Sequence, residues 1–327
     1  MRPLSLKGHD RALTRVRFNR EGDLLFTAAK NKAPCVWFTE NGERIGTYEG
    51  HNGVVWDLDV SWDTRTIATA SGDNSVKVWD SEKGNVLNTL NMPTPVRGVS
   101  MSYSGHLVAF TTMKMTKNAS TLNVVDIRDS DQMRDGGEPL FRVAFDSSAV
   151  KCLFSTLDNR ITVGNENGLV AQYDLRSPED FYAKNEKCHR LGITDLQLSP
   201  DGAFVLSSGK DKIAVLLDVS NLDQIKQFRS ERPVNSACVS PIRDHIILGG
   251  GEDAMQVTQT AVSAGHFEAK LYHMVLEEEF ARFKGHFGPI NTLAFHPDGN
   301  IVASGGEDGY VRVQELDPDY LDFNYEF

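Results

Sequence analysis

Three features of the sequence predict an all-β chain closed into a seven-bladed β-propeller. Gly-His recurs at Gly8-His9, Gly50-His51 and Gly285-His286, with His189 standing alone between the last two. Each of these histidines is followed 22 residues later by Asn31, Asp73, Asp211 or Asp308 in a turn-like setting. Short β-rich runs alternate with turn residues, and helical periodicity is scarce. Weaker copies in the gaps bring the units to seven, and 327 residues over seven gives about 47 each, near the about 40–45 of a four-stranded blade.

The units follow in order. The first holds His9, Thr27, Asn31 and Trp37. The second is complete, with His51, Thr69, Asp73 and Trp79, and its runs 66–70 and 76–79 alternate as half-buried strands do. The third and fourth carry Val125-Asp126 and Tyr173-Asp174 where Trp-Asp would stand. The fifth keeps His189, Ser207 and Asp211 but has Leu217 for Trp. The sixth starts from Glu231, with Asp253 at the 22-residue mark, and the seventh keeps His286, Ser304 and Asp308 with Gln314 for Trp. Ser-Pro-Asp-Gly at 199–202 and His-Pro-Asp-Gly at 296–299 are hairpin turns, Pro presetting φ and Gly able to take it positive. Seven residues after each histidine or its equivalent stand Val16, Leu58, Val99, Cys152, Leu196, Cys238 and Leu293, an apolar ring position. Pro3 to Lys7 aligns with Ile45 to Glu49, an outer strand, and has no blade of its own. It is expected to pair with the last blade and close a single domain over 1–327.

His, Asp and a hydroxyl also make a catalytic triad, but these sets are scattered around a ring, where a chemical site has to converge. The structural reading is preferred: Asp fixes the imidazole, the imidazole meets the Thr or Ser hydroxyl, and that hydroxyl meets the indole N–H. His106, His245, His266, His273 and His296 form no ligand cluster, Cys35, Cys152, Cys188 and Cys238 have no metal spacing, and the glycines at 249–251 lack a P-loop Lys. No enzyme, cofactor or metal is expected. A balance of 34 basic against 45 acidic residues, net −11, gives no general attraction to nucleic acid or anionic lipid, so RNA contact is expected only locally. No apolar leader or membrane span is visible, so a cytoplasmic protein is expected.

Function is sought on the surface. Departures from the repeat fall at Thr111–Thr121, Arg128–Pro139, Arg176–Lys187, Gln259–Phe283 and the acidic, aromatic tail 317–327. Five residues after each histidine position, facing the narrow end, stand Thr14, Trp56, Arg97, Val150, Thr194, Ser236 and Asn291, of which Trp56 and Arg97 are types enriched in binding hot spots. Around blades five and six, Asp211, Asp218, Asp223 and Glu231 are candidates to pair with a basic helix, with Leu222 and Phe228 as apolar contacts.

The second copy, running from Gly50-His51 to Trp79-Asp80, resembles the WD40 family. Segments outside the repeat consensus, 43–51, 54–64, 267–272, 277–280, 285–299 and 304–312, resemble the subunit i family of eukaryotic translation initiation factor 3 over essentially the whole chain. The resemblance implies a non-enzymatic cytoplasmic scaffold that helps the 43S pre-initiation complex assemble, recruit mRNA and scan. It implies subunits b and g as partners, b offering a C-terminal helical segment to blades five and six, the chain being one copy within a hetero-oligomer. The alternative is another WD40 adaptor, a signalling scaffold or ubiquitin-ligase substrate receptor, that captures its partner on the ring's top face.

Overall fold

The computed structural model describes residues 3–177, 181–251, 267–317 and 320. Asp253 and most of the tail 317–327 lie outside them, as does the first part of the 259–283 insertion.

The described strands form seven four-stranded antiparallel sheets. Blade one is β2–β5 (Leu13–Phe18, Leu24–Ala29, Cys35–Phe38, Arg44–Thr47) and blade two β6–β9 (Val55–Val60, Thr66–Ser71, Ser75–Asp80, Val86–Asn91). Blade three is β10–β13 (Val96–Met101, Leu107–Thr112, Ser120–Asp126, Phe141–Phe145) and blade four β14–β17 (Ala149–Phe154, Arg160–Asn165, Val170–Asp174, Phe181–Asn185). Blade five is β18–β21 (Ile193–Leu198, Phe204–Gly209, Ile213–Asp218, Gln224–Arg229) and blade six β22–β25 (Val234–Val239, His245–Gly250, Ala269–His273, Glu279–Phe283). Blade seven takes β26–β28 (Ile290–Phe295, Ile301–Gly306, Tyr310–Glu315) from the end of the chain and β1 (Leu4–Lys7) from its start, in register Leu4↔Val313 to Lys7↔Tyr310. The expected closure by the N-terminal strand holds.

The core lies between blades. Phe26 and Val36 of blade one pack on Leu58, Ile67 and Trp79 of blade two, and the same pattern recurs around the ring as Ala68 and Val78 meet Val99 and Phe110. All four cysteines are buried in this packing and unbridged. The turns at 199–202 and 296–299 close as expected, with Gly202 N–H donating to the Ser199 carbonyl and Gly299 N–H to that of His296 at 2.9 Å each, and both glycines at positive φ.

Every inner strand carries one extra residue against its neighbour, at Thr14, Trp56, Arg97, Val150, Thr194, Asn235 and Asn291. This corrects the sixth unit by one position. With no histidine to mark its start, counting from Glu231 overshoots, so Asn235 is the bulged residue instead of Ser236. Ala237 then takes the apolar ring position instead of Cys238, which lines a cavity in the ring.

Candidate functional site

The four histidine sets form the hydrogen-bond chains predicted for them. In blade two, His51 Nδ1 lies 2.9 Å from Asp73 and Nε2 2.7 Å from the Thr69 hydroxyl, to which Trp79 Nε1–H donates at 2.8 Å. Burial lowers the His51 pKa, so the ring is neutral: Nδ1–H donates to Asp73 and the Thr69 O–H donates to Nε2. Burial works against the Asp73 carboxylate, but donation from Ser75, the Asn52 N–H and His51 holds its pKa far below the usual range. Blade one repeats this with Asn31 at 3.1 Å from His9, Thr27 at 2.8 Å and Trp37 donating at 2.9 Å, and burial drives the His9 pKa down to about 4. In blade five His189 bridges Asp211 and Ser207 at 2.9 Å each, while Leu217, standing for Trp, is buried. In blade seven His286 spans Asp308 and Ser304, and Arg312 donates to Asp308 at 2.8 Å. Each set ties one blade's own strands together, and the four sets stand in four different blades, so their histidines do not converge on one site.

The bulged residues hold blade to blade. Thr14 Oγ1–H donates to the Val55 carbonyl at 2.7 Å, Thr194 to Val234 at 2.6 Å, Asn235 to Ile290 at 3.0 Å and Asn291 to Leu13 at 3.0 Å. Trp56 and Arg97 face each other instead, the guanidinium 4.8 Å from the ring centroid, and both are half-buried. The expected hot-spot pair thus spends much of its contact surface on itself.

One position further along lies a feature that repeat counting did not reveal. Arg15, Asp57, Lys151, Asp195, Ser236 and Thr292 are all buried and converge on the ring axis. Arg15 Nη1 donates to Asp195 at 2.8 Å, its Nε stands 3.4 Å from Asp57 in an ion pair without hydrogen-bond alignment, and Lys151 reaches Asp57 at 2.7 Å. Asp195 also accepts from Ser236 at 2.7 Å and Gln197 at 3.0 Å. Burial opposes the Asp195 charge, yet Arg15 and Lys151 lower its pKa, while burial lowers that of Lys151. Two cations and two anions therefore plug the axis. Beyond them a cavity of about 360 Å³ opens among Arg17, Trp62, Tyr103 and His296, with Arg20 lying 4.4 Å over the Trp62 ring and Tyr103 4.6 Å from it.

Around blades five and six the expected acidic lip is not one patch. β20 pairs with β21 from Ile213↔Arg229 to Leu217↔Gln224. Asp218 and Asp223 sit at one end of this pair, whereas Asp211 and Glu231 lie past the other end, beyond the about 16 Å that the strand from Ile213 to Asp218 spans at about 3.3 Å per residue. Asp211 is consumed, one oxygen by His189 and the other by the Arg190 N–H at 2.9 Å. Leu222 and Phe228 do not offer apolar contact either. Leu222 takes a left-handed φ of 60° that tucks its side chain between blades four and five, and Phe228 points from β21 into the packing against blade six. Exposed apolar groups beside Asp218 and Asp223 are Ile225, on the outermost strand, and Val275, on the blade-six turn that Lys226 holds through the Val275 carbonyl at 3.1 Å and Glu277 at 3.0 Å; Leu191 and Ile242 are exposed elsewhere on these blades.

Seven four-stranded blades, four of them braced by a His–Ser/Thr chain that ends on Asp or, in blade one, on Asn, and two of these four with a Trp, define a WD-repeat propeller. Residues 1–326 match the family model described as EIF3I, and the chain belongs to that family. It is 66% identical over 327 residues to eukaryotic translation initiation factor 3 subunit I of Caenorhabditis elegans, covering 100% of both chains. It is 62% identical to the subunit of the same name from Brugia malayi over the full length of both, and 47% identical to that of Bombyx mori, covering 100% of this chain and 99% of the other. The chain is thus a translation initiation factor 3 subunit by family. Among the described residues no helix is long and apolar enough to cross a membrane.

Proposed function

We propose that the chain is a non-catalytic cytoplasmic scaffold of translation initiation factor 3, which supports 43S pre-initiation complex assembly, mRNA recruitment and scanning by holding subunits b and g. The observation that carries this reading is the 66% identity over the full length to an initiation factor 3 subunit, on a ring whose four repeat histidines are tied into its own strands. The outer edge of blades five and six is the docking surface for the helical segment of subunit b. There the acids Asp218, Asp223 and Glu278 flank exposed Ile225 and Val275, which fits a basic amphipathic helix, charge meeting charge and apolar anchor meeting apolar patch.

The test is calorimetric titration of the full chain with the C-terminal segment of subunit b. Asp223→Lys combined with Ile225→Lys, both exposed, is expected to lower affinity at least tenfold, about 1.4 kcal/mol, with the melting temperature unchanged. Trp56→Ala is expected to leave it unaltered. Undiminished affinity in the double variant, or loss in Trp56→Ala, moves the site to the top face.

A further inference from the structure

At the other end of the same strand pair the charge reverses. Lys187 and Arg190 enter from the blade-four connection, Lys210 and Lys212 stand on the turn between β19 and β20, and Arg229 ends β21. All five are exposed, and none forms an ion pair with a described residue. Four of them, Lys187, Arg190, Lys212 and Arg229, line one groove of about 510 Å³, a size within the about 300–1,000 Å³ of ligand clefts. Its remaining lining is largely polar, including Gln224, Gln227 and Ser230.

Asp211 also lines the groove, its two oxygens accepting from His189 and the Arg190 N–H, while Glu186 is paired with Lys184 at 2.6 Å and Asp223 lies at the far end of the strand pair. Glu231, exposed, stands 4.0 Å from Lys270. On a chain of net charge −11 this crown is a local exception to the overall sign.

We propose that this groove binds the sugar–phosphate backbone of RNA. Unpaired Lys and Arg spread along a polar groove match spaced phosphates, and the glutamines and serine match phosphate and ribose oxygens. A protein helix is the poorer fit, because the groove's own lining offers few apolar anchors: Cys188 is buried and Ile213 half-buried, and the exposed Leu191 next to Arg190 is not part of that lining. The site is independent of the subunit b surface, which uses acids and Ile225 at the opposite end.

Fluorescence anisotropy of the full chain with a labelled oligouridylate, across a salt series, tests this. Four phosphate contacts predict log K falling against log salt with a slope of about −3, at about −0.7 per contact for a single strand. Lys187→Glu with Lys212→Glu is expected to halve that slope and weaken binding at least 25-fold at about 0.1 M salt, about fivefold per lost contact. Lys83→Glu, exposed on blade two, serves as the charge control and is expected to change binding less than twofold. Circular dichroism and melting temperature report folding of each variant. Absent binding, a slope the groove variant does not change, or equal loss in the control overturns the proposal. Displacement of the RNA by polyglutamate or inorganic phosphate at matched charge also overturns it, by showing a site for any anion.

Discussion

Asp195→Ala removes one of the two carboxylates from the axial plug and leaves Arg15 and Lys151 buried against Asp57 alone. The lost oxygens accept from Arg15 at 2.8 Å, Ser236 at 2.7 Å, Gln197 at 3.0 Å and the Leu196 N–H at 2.9 Å. Removing one partner of a buried ion pair costs about 3–5 kcal/mol, most of it from the charge left behind. The Ser236 hydroxyl and the Leu196 N–H, left without this acceptor, would add about 1 kcal/mol each, whereas Gln197 keeps the Leu293 carbonyl at 2.9 Å; groups in one network overlap, so about 4–5 kcal/mol in total is expected. Urea unfolding of the full chain, followed by tryptophan fluorescence and circular dichroism together, reads this as a lower midpoint at unchanged slope. Adding Lys151→Met restores charge balance at the axis and is expected to recover about 2 kcal/mol or more relative to Asp195→Ala. A loss below about 1 kcal/mol in the single variant, within the range of ordinary substitutions, would refute the view that these charges hold the ring interior. So would a double variant less stable than the single one.

Asp73→Ala leaves the buried Nδ1–H of His51 without its acceptor and is expected to cost about 1–3 kcal/mol, seen as lower thermal and urea midpoints; unchanged midpoints would rule out a bracing role. His9 supplies one part of the pH dependence, with His51 and His245 shifted in the same direction by burial. The His9 pKa drops from 6.5 unfolded to about 4 folded, so the unfolded chain binds a proton first as pH falls. Its contribution is fully present above pH 6.5 and is lost between 6.5 and about 4, by up to about 3 kcal/mol. Urea midpoints measured across that window should fall in the native chain and fall less in His9→Gln; equal slopes would contradict the assignment.

The seven-fold architecture was legible because histidine and its partner 22 residues on bracket a fixed length of chain, so the strands between them had nowhere else to go. Where the bracket was missing, at Glu231, the count slipped by one residue. The axial plug was hidden for a different reason: Arg15 and Asp195 are 180 residues apart and meet only once the ring has closed. Leu222 was misread because polar neighbours made its turn look solvated, while a left-handed backbone turned the side chain inward. Asp211 was taken both as a brace and as a surface charge, and the hydrogen bonds from His189 and Arg190 leave it only the first role. The basic crown was discounted because charge was summed over the chain, which hides cations gathered from three separate loops.

The pairing of Leu4–Lys7 with Tyr310–Val313 sets an order in time. The first strand to leave the ribosome pairs with the last one made, and at about 5–20 residues per second that partner arrives roughly 15–60 s later. Through that interval Leu4 and Leu6 present an unpaired edge that only blade seven satisfies. The ring therefore closes late, once Tyr310–Val313 is available, and a second copy offering its own Tyr310–Val313 competes for the same edge. A copy that took a neighbour's Tyr310–Val313 in place of its own would make a strand-swapped pair with the same hydrogen bonds.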